Sequence, residues 1–73
     1  MSEARLILFR REGYFELEVP YNVEFIDELK RSIETDARYF QPARKRWCVD
    51  IEQLDKVKAL AKEHFEYVSE VQG

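Results

Sequence analysis

The chain has 73 residues, 45% of them hydrophobic, with five Phe, four Tyr and one Trp, and a net charge of −3. That is enough apolar material for one small core, and it excludes a second domain or a disordered chain. A lone cysteine, Cys48, excludes an internal disulfide. No apolar run heads the chain as a secretion signal would, and the longest apolar stretch (LILF, 6–9) falls far short of the ~20 residues of a membrane-spanning helix. The sequence therefore predicts a cytoplasmic domain with no membrane partner.

Residues 5–19 (RLILFRREGYFELEV) read as two strands around a tight turn at Glu12-Gly13, where Gly13 supplies the positive φ that hairpin loops demand. The second strand alternates: Phe15, Leu17 and Val19 share one face, and Tyr14, Glu16 and Glu18 the other. The first strand does not alternate. Leu6, Ile7, Leu8 and Phe9 are all apolar, so part of this strand faces away from the core, to be covered by this chain or by a partner.

Residues 20–33 then open a helix. Pro20 ends the strand, Asn22 is a good N-cap, and Glu24, Asp27 and Glu28 occupy early turns that favour anions. Phe25, Ile26, Leu29 and Ile33 form its apolar stripe. A second hairpin follows: Arg38–Gln41 extended, Pro42-Ala43 at the centre of a type I turn, and 46–51 extended with Trp47, Val49 and Ile51 on one face. Asp50 and Gln53 have the spacing of a capping box, and Leu54, Val57, Ala61, Phe65 and Val68 follow at helical intervals. Residues 66–71 (EYVSEV) suit either the end of that helix or a short closing strand. The expected fold is thus α+β: two ββα units forming a four-stranded, mostly antiparallel sheet with both helices packed on one face.

Charge is distributed unevenly. Residues 37–47 (ARYFQPARKRW) contain four cations, Arg38, Arg44, Lys45 and Arg46, and no acid. On a hairpin with Arg38 and Arg46 opposite each other near the turn, these side chains would form a phosphate clamp, because the guanidinium fork pairs two phosphate oxygens at once. Arg10 and Arg11, at the neighbouring hairpin turn, would extend it. The alternative is a solvated loop whose cations balance nearby carboxylates. Three or four engaged phosphates would give a log–log salt slope of roughly −3 to −4.

Tyr14, Tyr39 and Phe40 could stack on unpaired bases, although for a chain with this many rings burial in the core is the competing role. Tyr39 and Phe40 are adjacent on a strand, so only one of them can lie beneath the helices. Trp47 is a core residue on this reading. His64 has no second His and no cysteine at ligand spacing, and Ser32, Ser69 and Cys48 have no placed base. No catalytic residue, metal ligand or cofactor is nominated, and the chain does not read as an enzyme.

The run F-x-L-x-V-P-Y-N … I-x-E-L-K … A-R-Y … K-R-W-x-V … L resembles the HARP-like accessory domain found beside the motors of Swi/Snf-type and related superfamily 2 helicases. It is carried by Phe15, Val19, Pro20, Tyr21, Ile26, Leu29, Ala37-Arg38-Tyr39, Trp47, Val49 and Leu54, across residues 14–65. The chain departs from the family where Phe40-Gln41-Pro42 replaces the usual aromatic-Asp-Pro. The resemblance implies a non-catalytic, DNA-binding helicase accessory domain, contacting duplex or branched DNA ahead of RNA, with any helicase or nuclease partner acting in trans. A second expectation comes from the residues alone: the apolar first strand would serve as a protein–protein interaction or homodimerisation surface.

Overall fold

The computed structural model describes residues 2–73. Its elements are β1 (Glu3–Phe9), β2 (Tyr14–Glu18), α1 (Val23–Ser32), β3 (Arg38–Gln41), β4 (Arg46–Asp50), α2 (Leu54–His64) and β5 (Tyr67–Gln72). Short 3-10 turns precede β3 and α2. The sheet order is β3-β4-β2-β1-β5, antiparallel throughout except that β5 runs parallel to β1. The fold is α+β as expected and the sheet is mostly antiparallel, but it has five strands instead of four, and the parallel β5 makes it mixed.

Local chemistry explains the hairpins and helix starts. Gly13 adopts φ 84°, and the amides of Glu12 and Gly13 both donate to the Phe9 carbonyl, which closes the turn and pairs Phe9 with Tyr14. Asn22 caps α1 by accepting the Phe25 amide at 3.0 Å. Asp50 accepts the amide of Glu52 at 2.9 Å, but Gln53 makes no side-chain capping bond; a 3-10 turn intervenes and α2 proper starts at Leu54. Neither bond of the expected capping box is formed; Asp50 instead closes a local turn onto Glu52.

Register assigns the faces. Ala4, Leu6, Leu8, Phe15, Leu17, Trp47 and Val49 lie on one side of the sheet and pack against Phe25, Leu29 and Ile33 from α1 and Leu54, Val57, Leu60 and Ala61 from α2. Both helices therefore cover the same face. Each large side chain withdrawn into such a core contributes roughly 1.5–3 kcal/mol.

Of the two readings of residues 66–71, the structure forms the strand, as Tyr67–Gln72. α2 ends at His64, the Phe65 amide closes the last turn on the Ala61 carbonyl, and Phe65 is itself extended and buried. Continuing the helix would have left the outer backbone edge of β1 unpaired beside a buried apolar strand. Instead β5 pairs with it along six residues, and Val68 packs on the core opposite Ala4. This also corrects the expectation for the first strand. β1 is internal to the sheet; Ile7 on the face away from the helices is only 8% exposed, and Phe9 is stacked on Tyr14 at 4.9 Å between ring centroids. The open apolar patch expected on β1 is not formed. No helix among the described residues is long and apolar enough to cross a membrane.

Removing the α1 cap tests the local account: Asn22→Ala is expected to lower unfolding free energy by about 1 kcal/mol, read from the midpoint of a urea titration.

Candidate functional site

β3 and β4 form the basic hairpin, and its register separates the four cations. Arg38 pairs with Val49 and Gln41 with Arg46, so Arg38 sits at the end of β3 away from the turn and cannot face Arg46. Its side chain lies on the helix side of the sheet, where Nε donates to the Ile33 carbonyl at 3.0 Å and the guanidinium stands 5.9 Å from the Trp47 ring centroid. Arg38 thus ties the end of α1 to the sheet.

Arg46 lies on the opposite, open face. It donates to Glu16 at 2.8 Å and to Glu18 through two nitrogens at 3.1 and 3.2 Å. Those bonds, the one to Glu16 above all, raise the pKa of its guanidinium above the ordinary value. Arg44 reaches the other oxygen of Glu16 at 3.3 Å, and Arg5 pairs with Glu18 at 3.5 Å. Glu16 is 1% exposed, an acid in the middle of a sheet face that the arginines close over. A buried carboxyl group is costly unless its oxygens accept hydrogen bonds. The hairpin's arginines are therefore largely engaged inside the molecule. The expected four-cation clamp is not assembled, because the acids that neutralise it come from β2, adjacent in the sheet though distant in sequence.

Arg10 and Arg11 are exposed at the β1–β2 turn, which lies beside Ile51 at the far end of β4 from the Pro42-Ala43 turn. They do not extend the basic hairpin. Tyr14 is stacked on Phe9, and Tyr39, opposite Cys48, is 64% exposed on the open face. Cys48 shares that face; burial first, and the Glu16 carboxylate second, push its thiol pKa up.

Phe40 is the ring directed to the helix side, as the alternation required of one of the pair, yet it remains 40% exposed. The two helices do not reach across the β3–β4 hairpin, and the space left over is a groove of about 690 Å³. Its walls include Pro20, Tyr21, Val23 and Ile26 from the start of α1, and Phe40 and Trp47 from the hairpin, with those two rings 5.1 Å apart. Tyr21 (84%) and Val23 (54%) are exposed at its mouth. Lys30 and Lys45 flank it with one acid, Asp27. Both lysines are exposed, and neither has a carboxylate within ion-pair distance among the described residues.

Lys45 holds φ 55°, a left-handed conformation that suits glycine better. The turn before it closes with the amides of Arg44 and Lys45 both donating to the Gln41 carbonyl, at 3.3 and 2.8 Å. As binding residues the sequence pointed to Lys45 and Phe40; Tyr21 entered only through the family resemblance, and Val23 and Lys30 were not nominated. The signal available was an exposed tyrosine and valine flanking a helix cap, which alone indicates nothing.

His64 meets Glu28 at 3.4 Å and the edge of Phe25, joining the two helices. No cluster of three or more His, Cys, Asp or Glu able to hold a metal occurs among the described residues. Comparison with protein-family models, curated proteins and solved structures finds no match.

Two outcomes test this site. Glu16→Ala, which strips both arginines of a buried acceptor, is expected to cost about 1–3 kcal/mol in chemical denaturation, with Glu16→Gln costing less. Alkylation of Cys48 by iodoacetamide is expected to rise with pH along a curve displaced above that of an unhindered thiol, since the reactive thiolate is disfavoured on both counts.

Proposed function

We propose that the protein is a non-catalytic nucleic-acid-binding module whose contact surface is the groove between the start of α1 and the β3–β4 hairpin. The observation that carries this reading is the coincidence, at one place, of exposed rings with two lysines that have no carboxylate within ion-pair distance among the described residues. Unpaired bases would stack on Phe40 and Tyr21, each contact worth about 1–3 kcal/mol. The flanking phosphates would meet Lys30 and Lys45, joined by Arg44 at the hairpin tip, whose side chain is still 56% exposed beside Glu16.

A site that takes both a ring and a backbone suits DNA where unpaired nucleotides leave a duplex, as at a fork or branch. The resemblance to HARP-like accessory domains supports the same ligand, and Val19, Pro20, Tyr21, Ile26 and Trp47, which carry that resemblance, line this groove. The backbone of Lys45 adds a further argument. A lysine held in a conformation that glycine takes more easily is local backbone strain of the kind that clusters at ligand sites. As an accessory subunit the module would act beside a helicase or nuclease supplied in trans.

Anisotropy of labelled forked, duplex and single-stranded oligonucleotides at two salt concentrations tests the reading. The forked substrate should bind tightest, and Lys30→Glu/Lys45→Glu should weaken it and flatten the log–log salt slope by about 2. Arg10→Glu/Arg11→Glu should leave the affinity near wild type. Lys45→Gly should gain roughly 0.5–1 kcal/mol in stability by relieving the backbone while losing affinity. Binding indifferent to both salt and the lysine reversals would overturn the proposal; an acidic or apolar peptide would then be the fitting occupant.

A further inference from the structure

We infer that a second copy of this chain pairs with the free edge of β5, antiparallel and centred on Ser69, independently of what fills the groove. The two edges of the sheet differ. β3 has four residues and exposes Tyr39 and Phe40, which lie on opposite faces; β5 has six and exposes Tyr67 and Val71. Both stand on the face away from the helices, as their partners Glu3 and Ile7 do.

The backbone of β5 specifies which groups are open. The amide of Tyr67 donates inward to the Ser2 carbonyl, and that of Gly73 inward to Leu8. Alternation along a strand then turns the amides and carbonyls of Val68, Glu70 and Gln72 outward, toward the uncovered edge.

Self-pairing about a twofold axis perpendicular to the sheet keeps like faces together, so only certain registers are available. Centring on Val68 sets Glu66 against Glu70 of the second copy, and centring on Glu70 sets that carboxylate against itself. Like charges directly opposite are unfavourable. Centring on Ser69 avoids both. Val68 then exchanges hydrogen bonds with Glu70 of the other copy through the outward-facing groups. Glu66 faces Gln72, and Tyr67 lies against Val71 at each end of the contact. Glu70 brings little unbalanced charge, being already paired with Lys58 at 3.2 Å. One register thus satisfies the backbone, covers the exposed apolar pair and separates the acids. The two grooves would lie toward opposite ends of the joined sheet, roughly 35 Å apart by strand spacing, so that a sufficiently long ligand could engage both.

Sedimentation velocity over a concentration series tests this with the whole chain. The wild type should pass from monomer to dimer as concentration rises. Tyr67→Glu/Val71→Glu should remove the dimer by setting carboxylates against each other, whereas Tyr67→Lys/Val71→Glu should restore it. Both variants alter only exposed positions, and circular dichroism checks that they remain folded. In a Cys48→Ser background, Ser69→Cys should form a disulfide-linked dimer on mild oxidation, because residues facing each other across the axis in a non-hydrogen-bonded pair approach to about 4.5 Å between Cα atoms. Val71→Cys in the same background should not, its neighbour being Tyr67. A wild type that stays monomeric at millimolar concentration, or a dimer unmoved by the charge variants, overturns the inference.

Discussion

The ion pairs between Arg46 and the two acids of β2 decide what the rest of this surface can do. They fasten the β3–β4 hairpin to the centre of the sheet and fill the oxygens of Glu16, a buried side chain whose acceptors would otherwise go unsatisfied. In doing so they commit the hairpin's most conspicuous cation to the fold. Arg38 is committed as well, to the Ile33 carbonyl and the Trp47 ring. What remains for a ligand is set by subtraction: the lysines at the groove and the outward side of Arg44.

The groove itself follows from a mismatch of layers. Five strands present more surface than two short helices can cover, and the uncovered part falls over the hairpin, where Phe40 is left exposed beside the buried Trp47. An apolar hollow bounded by free ammonium groups is a different chemical object from a basic loop. It selects for a ligand with a flat, weakly polar part and an anionic part held close together, which describes a nucleotide better than it describes a bare phosphate chain.

Much of the architecture was legible because it is encoded locally. Gly13 marked its turn, Asn22 its cap, and the alternation of Phe15, Leu17 and Val19 the buried face of β2, each through groups only a few residues apart. The failures share a cause in long-range pairing. Nothing near residues 66–71 reveals that β1 offers them a parallel edge, and the stripe through Phe65 and Val68 reads equally well as helix. Glu16 looked like a solvent-facing residue of an alternating strand; only the placement of β4 beside β2 folds Arg44 and Arg46 over it. The basic hairpin misled for the same reason, since a count of cations along the chain cannot see the acids of a neighbouring strand. Arg38 was misplaced by register alone, which the turn length fixes and the composition does not.

The most direct measurement of the central claim is an amide-resolved NMR titration with a short forked DNA. The account predicts shifts gathered at Tyr21, Val23, Lys30, Phe40 and Lys45, with the amides of Arg10, Arg11 and the open-face residue Glu18 left in place. Shifts confined to the Arg10–Arg11 turn or to the open face around Tyr39, with the groove silent, would contradict it.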